Sequence, residues 1–105
     1  MAISKIPQGQ MFIHFAPTYM DKPRVWVKVE DSNDEPSLFI ENSAMVRFSI
    51  NPNSKPTLTE RWLIGDRYYN EKVSKGEFIP ITDLNEVDSI TEKKGWPAYE
   101  IEFEF

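Results

Sequence analysis

The C-terminal stretch Tyr99-Glu100-Ile101-Glu102-Phe103-Glu104-Phe105 decides the fold class that this sequence predicts. Apolar or aromatic residues stand at its odd positions, and glutamates stand at its even positions. A period of two places the first set on one face of an extended strand and the glutamates on the other. A helix would spread the same residues around its circumference and leave no buried stripe. We therefore predict a terminal strand with one face in a core and its carboxylates in water.

Similar alternation recurs along the rest of the chain, between turn signals rich in Pro, Gly, Asn and Asp. Further strands are predicted at 11–15, 24–30, 37–41, 44–50, 67–69 and 77–81. The strand at 44–50 is expected to form a hairpin with 37–41 through Asn42-Ser43, with Phe48 and Ile50 facing inward. Pro80 predicts that the strand at 77–81 lies at an edge or a bulge.

Two segments leave room for helix. Residues 57–70 fit either a hairpin that turns at Gly65-Asp66 or a short helix that begins with a Thr57–Glu60 capping box. The segment Thr82–Asp88 is expected to make one helical turn, with Leu84 and Val87 facing inward.

The predicted fold class is mostly β, an antiparallel sandwich or small barrel of about seven or eight short strands with one or two helical turns. The alternative is an α+β roll. With 105 residues, the chain is expected to form a single domain over residues 1–105. Long helical periodicity is absent from the sequence, which disfavours all-α and doubly wound α/β folds.

Composition limits the functional classes. The net charge of −5 disfavours nonspecific binding to nucleic acid, for which a basic surface is expected. The sequence has no cysteine, which excludes disulfides and thiolate metal sites and favours a reducing, cytoplasmic compartment. No apolar run has the length of a membrane span, so no membrane association is predicted.

Motifs that would predict catalysis, a cofactor or a metal are not found. The single histidine, His14, has no orienting partner nearby in sequence and is interpreted as a packed or surface residue. The loop at 31–35 resembles the start of a calcium loop, but it lacks the glycine at position six and the glutamate at position twelve. The four isolated glycines cannot form a phosphate-binding loop. No cofactor and no metal are therefore predicted.

Aromatic and basic residues on the predicted sheet give the candidate binding site. Trp26 alternates with Arg24 and Lys28, on the face opposite a row of valines. Aromatic residues and arginine are enriched at binding hot spots. The candidate binding residues are Arg24, Trp26, Lys28, Tyr68, Tyr69 and Trp96. For Trp26 itself, coverage of both sheet faces, with Trp26 in a second core under a loop, is favoured over an exposed recognition patch.

The favoured function is a small, acidic, non-enzymatic interaction protein. It would bind a protein partner of unknown identity through the aromatic and basic sheet face or through the acidic C-terminal strand. The alternative is a small-molecule carrier, a barrel whose mouth is lined by Phe12, Trp62, Tyr68 and Phe78. A less favoured third hypothesis is an enzyme that uses Tyr, Asp or Glu as acid–base groups. A homodimer is compatible with all three.

Overall fold

The fold is known from a computed structural model, which describes residues 3–29 and 37–100. These residues form one antiparallel sheet and three α-helices. The strands are β1 (Met11–His14), β2 (Arg24–Lys28), β3 (Ser37–Glu41), β4 (Arg61–Ile64) and β5 (Phe78–Ile81). The helices are α1 (Asn42–Ile50), α2 (Asp66–Ser74) and α3 (Asn85–Lys94), and 3₁₀ turns occur at Ile3–Lys5 and Leu58–Glu60. The strand order is β4-β3-β2-β1-β5.

The prediction of a mostly β protein with about seven or eight strands is wrong. The described residues form five strands with helices between them, so the protein is α+β, the class that was kept as the alternative. None of the helices within 3–29 and 37–100 is both long and apolar enough to cross a membrane.

The predicted strand at 44–50 is part of helix α1. Its N-terminal turn, Asn42 to Ala44, is buried, whereas Phe48 and Ile50 are exposed instead of facing inward. A short run of alternating apolar residues fits a strand or a helix, and contacts elsewhere decide between them. Here α1 contacts β2 and β3, and Arg47 forms a two-pronged salt bridge with Glu60.

The predicted hairpin at Gly65-Asp66 is also wrong, because Gly65 caps α2 and Asp66 is the first residue of that helix. A carboxylate in the first turn is favourable there, since it interacts with the positive end of the helix dipole. Tyr69 and Lys72, three residues apart, form the buried side of the helix. The Thr57–Glu60 capping box is present, but the helix that it starts is a single 3₁₀ turn followed by β4.

The predictions at 11–15, 24–30, 37–41 and 77–81 are confirmed as strands, although β1 and β2 end earlier than predicted. The strand that contains Pro80 lies at an edge of the sheet, as expected. The helical turn predicted at Thr82–Asp88 is instead the ten-residue helix α3, in which Val87 is buried and Leu84 is exposed.

Residues 101–105 of the predicted terminal strand lie outside the described residues, as does the loop at 31–35. Tyr99 and Glu100 have no regular secondary structure. Tyr99 packs beside the cluster of buried residues on one sheet face.

Both faces of the sheet are covered. One face, which we call the α2 face, carries Phe12, Trp26, Phe39 and Phe78, packed with Ile3, Ile6 and Tyr69. The other, the α3 face, carries Ile13, Val25 and Ile81, packed with Val87 of α3. Lys28 is fully buried on the α2 face, where its ammonium group donates to the carbonyl oxygens of Ile3 and Ile6 at 2.9 and 2.7 Å. The N-terminal segment thus covers part of that face.

Candidate functional site

A cleft opens at the rim of the α2 face, between the sheet, helix α2 and the loop before β2. Its volume is about 530 Å³. We call it the aromatic cleft. It is lined by His14, Tyr19, Met20, Arg24, Trp26, Thr59, Arg61, Trp62, Tyr68 and Lys72.

The sheet register brings the floor of the aromatic cleft together. His14 of β1 pairs with Arg24 of β2, and Trp62 of β4 pairs with Phe39 of β3. The imidazole of His14 packs against the ring of Trp62, with 4.7 Å between ring centroids. Trp26 packs against the same ring, with 5.1 Å between centroids. Trp62 therefore joins the rings of Trp26 and His14 in one aromatic cluster.

Helix α2 supplies a second wall of the aromatic cleft. Tyr68 and Lys72 are four residues apart, which places them on the same side of the helix. The ammonium group of Lys72 lies 5.2 Å from the ring of Tyr68 and 5.2 Å from the ring of Tyr19, in cation–π geometry. It also donates to the carboxylate of Glu77 at 3.2 Å. Lys72 is 8% exposed, so its charge is held inside this group of partners.

Arg24 forms the rim that separates the aromatic cleft from a neighbouring polar cavity. Its guanidinium carbon lies 4.7 Å from the ring centroid of Trp26. The same guanidinium forms a salt bridge with Glu41 and donates to the carbonyl of Thr59 at 2.8 Å. The polar cavity, of about 570 Å³, shares Met20, Arg24 and Thr59 with the aromatic cleft.

The ionisable groups of the cleft are shifted by burial and by each other. Burial, with the nearby charges of Lys72 and Arg24, lowers the pKa of His14 to about 4, so its imidazole is neutral at pH 7. Burial and a hydrogen bond to Tyr19 raise the pKa of Tyr68. Burial lowers the pKa of Lys72, but hydrogen bonds to Glu77 and Tyr19 outweigh it and raise the pKa overall. Lys72 is therefore charged and Tyr68 protonated.

Two buried nitrogen atoms at the cleft lack partners. Neither Nε2 of His14 nor Nε1 of Trp26 has a hydrogen-bond partner among the described residues. A buried polar atom without a partner costs about 1–3 kcal/mol, and such atoms often mark a functional position. The indole nitrogen is a donor only, so it can be satisfied only by an acceptor.

The structure brings three of the six predicted binding residues to this cleft. Arg24, Trp26 and Tyr68 line it, although Trp26 is 3% exposed and offers no free sheet face. Lys28 and Tyr69 are buried in the core beneath, and Trp96 packs on the α3 face. Both sheet faces are therefore covered at Trp26, and the interpretation of an exposed sheet face is wrong for this residue.

The four residues proposed for a carrier divide in the same way. Trp62 and Tyr68 line the cleft, whereas Phe12 and Phe78 are buried beneath it. Sequence reasoning missed Tyr19 and Lys72. The spacing of four between Tyr68 and Lys72 is a signal that becomes readable only once 66–74 is identified as a helix.

Among residues 3–29 and 37–100, no cluster of His, Asp and Glu side chains has an arrangement that could hold a metal ion. Comparison of the chain with protein-family models, with curated proteins and with solved structures gave no match.

Proposed function

We propose that this protein is a non-enzymatic binding protein that takes a small molecule into the aromatic cleft. The observation that carries the proposal is the cleft itself, a concave space of about 530 Å³ walled by the rings of Trp62, Tyr68 and Tyr19. Sites for small molecules usually have volumes of about 300–1,000 Å³, apolar or aromatic walls and a few convergent polar groups. The cleft has all three features, and its polar groups include the side chains of Arg24, Tyr68 and Lys72.

The direction of the pKa shifts supports binding rather than catalysis. Acid–base catalysis at neutral pH favours groups whose pKa lies near 7. The pKa of His14 moves away from that range to about 4. The pKa values of Tyr68 and Lys72 are raised, and their ordinary values already lie well above 7. These groups keep fixed protonation states and act as fixed donors, acceptors and charges.

A protein partner stays a second proposal, favoured by a separate observation. Leu58 is 81% exposed, Leu63 62%, Ile50 60% and Phe48 50%, and all four belong to the segment 48–63, from the end of α1 into β4. A concentration of exposed apolar side chains can mark an interaction surface. The cytoplasm stays the proposed compartment, supported by a composition without cysteine.

Thermal-shift screening of a metabolite library tests the small-molecule proposal. A ligand that binds only the folded state stabilises it by about 2.7 kcal/mol at a concentration of 100 times its Kd. We expect compounds that raise the melting temperature of the wild type and lose most of this effect in Tyr68→Ala. The side chain of Tyr68 is 38% exposed, so its truncation removes a cleft wall at limited cost to the fold.

Leu63→Ala is the matched control, because Leu63 is exposed on β4 next to Trp62 and does not line the cleft. Compounds that stabilise the wild type and Tyr68→Ala equally would bind elsewhere and contradict the proposal, as would a library that yields no stabilising compound. A compound whose stabilising effect is lost in Leu63→Ala, and not in Tyr68→Ala, would bind near the exposed apolar residues of the segment 48–63 and outside the cleft.

A further inference from the structure

We propose that the ligand of the aromatic cleft is a planar ring that carries a carboxylate or a phosphate, with this oxyanion bound at Lys72. The inference rests on the proposed function and deepens it, because it names the chemical class of the ligand. It is carried by the charges, the occupied cation positions and the hydrogen-bond donors of the cleft.

The charge of the cleft is one-sided. Three cationic residues, Arg24, Arg61 and Lys72, line it, and none of the described residues in its wall is an Asp or a Glu. Glu41 and Glu77 pair with Arg24 and Lys72 but do not line the cleft. Arg61 alternates with Trp62 along β4, so its side chain lies on the opposite face of the sheet from that ring. Arg24 and Lys72 line the cleft whereas their carboxylate partners do not, and this arrangement favours a ligand that carries a negative group.

The positions that a cationic ligand would use are already occupied by the protein. Aromatic walls can bind a quaternary ammonium group through cation–π contacts. Here Lys72 occupies that position against Tyr19 and Tyr68, and Arg24 occupies it against Trp26. A second cation in this space would be repelled by both, so the rings and the charges together select against ligands such as choline.

Hydrogen-bond donors converge where the oxyanion is proposed to bind. The ammonium group of Lys72 lies 5.2 Å from the ring of Tyr19 and 5.2 Å from the ring of Tyr68. Each tyrosine carries a hydroxyl donor, and the ammonium group has three N–H donors, of which one is used by Glu77. Lys72 and the tyrosines thus form a compact set that complements a carboxylate or phosphate oxygen.

The ring of the ligand is proposed to lie against Trp62, which is half-buried and faces the cleft between Tyr68 and Trp26. Stacking on an aromatic side chain contributes about 1–3 kcal/mol for a nucleic-acid base and does not depend strongly on which base it is. The net charge of −5 disfavours an extended polyanion, so one charged ring fits better than a nucleic-acid strand.

Titration calorimetry with matched probes tests the inference. The ring series is 2-naphthoate and 2-naphthyl phosphate against neutral 2-naphthol and cationic 2-naphthylmethylamine. Acetate and inorganic phosphate test the oxyanion without the ring, and a thymine decanucleotide tests the polyanion. We expect the two anionic naphthalenes to bind about tenfold more tightly than 2-naphthol, since a hydrogen bond to a charged group contributes about 1.5–3 kcal/mol. The better of the two anions identifies carboxylate or phosphate.

Lys72→Met should remove the preference for the anionic naphthalenes over 2-naphthol. Lys75→Met is the matched control, because Lys75 follows the same helix, is exposed and pairs with Glu71. Tyr19→Phe/Tyr68→Phe provides a second test that keeps every charge, and it should weaken the anions several-fold. This double variant decides the question if Lys72→Met does not fold.

Equal binding of 2-naphthol and 2-naphthoate would overturn the inference while leaving the proposed function intact. Tighter binding of the amine, tighter binding of the decanucleotide than of any naphthalene, or no binding of either anionic naphthalene would also overturn it. The proposed function fails separately, if ligands found by screening do not depend on Tyr68.

Discussion

His14 packs against the rings of Trp62 and Phe78, with centroid distances of 4.7 and 5.7 Å. The sequence identified it as a packed or surface residue because no partner stood near it in the chain. Its surroundings come from β4 and β5 and from the two cations Lys72 and Arg24, which are distant in sequence. Local pattern therefore predicted that His14 would not act as a base, but it could not predict how strongly the fold would oppose its protonation.

This environment predicts a stability change with pH at the level of one residue. The pKa of His14 is about 4 in the folded protein, against an ordinary value of 6.5. Between these values the unfolded chain takes up a proton that the folded protein does not, so stability falls as the pH decreases through this window. The full effect is about 3 kcal/mol, reached near pH 4. Urea unfolding at a series of pH values measures it.

The control is His14→Phe, which should flatten the pH dependence between about 6.5 and 4.5. The Arg47 side chain lowers the pKa of Glu60 from 4.5 to about 2, so the stability due to Glu60 is lost only as the pH falls through that lower window. An unchanged slope between pH 6.5 and 4.5 in His14→Phe would show that His14 is not the group responsible.

At the scale of the elements, four of the predicted strands are present in the sheet. The errors concern α1 and α2, where a short sequence pattern fits both a strand and a helix. The alternation at 44–50 is satisfied by α1 because Asn42 to Ala44 pack on the sheet and Arg47 reaches Glu60. The residues 66–74 combine a buried Tyr69 and Lys72 with an otherwise polar surface. Neither the Arg47–Glu60 contact nor the burial of Tyr69 and Lys72 is visible in a local window, so the local pattern could not select a helix at either place.

The end of α3 provides an element-scale prediction. Gly95 caps this helix in the left-handed conformation, with φ 70° and ψ 26°, and a Cβ built at this position would have no heavy atom within 4 Å. Gly95→Ala should therefore cost about 1 kcal/mol through the backbone alone. Gly95→Asn should cost less, because asparagine adopts this conformation more readily. Thermal unfolding of both variants measures the difference, and equal losses would contradict the explanation.

At the scale of the whole molecule, the sheet is a middle layer with a buried cluster on each face. The sequence predicted that apolar residues would alternate along β2, and Val25 and Trp26 do lie on opposite faces. It allowed for coverage of the second face but could not identify the residues that cover it, because Ile3, Ile6 and Tyr69 come from other parts of the chain. Of the candidate site, it found Arg24, Trp26 and Tyr68 but not the helix that brings Lys72 beside them.

Coverage of both faces predicts that Trp26 supports the whole fold. Trp26→Ala should lower the free energy of unfolding by about 3–5 kcal/mol, as large-to-small substitutions of buried aromatic residues do. Phe48→Ala, at an aromatic residue that is 50% exposed, should cost much less. Urea unfolding of both variants measures the contrast. If Trp26→Ala lowered the free energy of unfolding as little as Phe48→Ala does, Trp26 would not be part of the core.

The close pair of Trp26 and Trp62, 5.1 Å apart and inclined at 50°, has an optical consequence. Two indoles at this distance and angle couple their electronic transitions, which gives a paired positive and negative band in circular dichroism. Trp96 lies on the other side of the sheet and contributes no such coupling to the pair. The molecule therefore carries its own spectroscopic label at the cleft, and any guest that reorients Trp62 will change the amplitude of that couplet without a dye or a fluorescent tag.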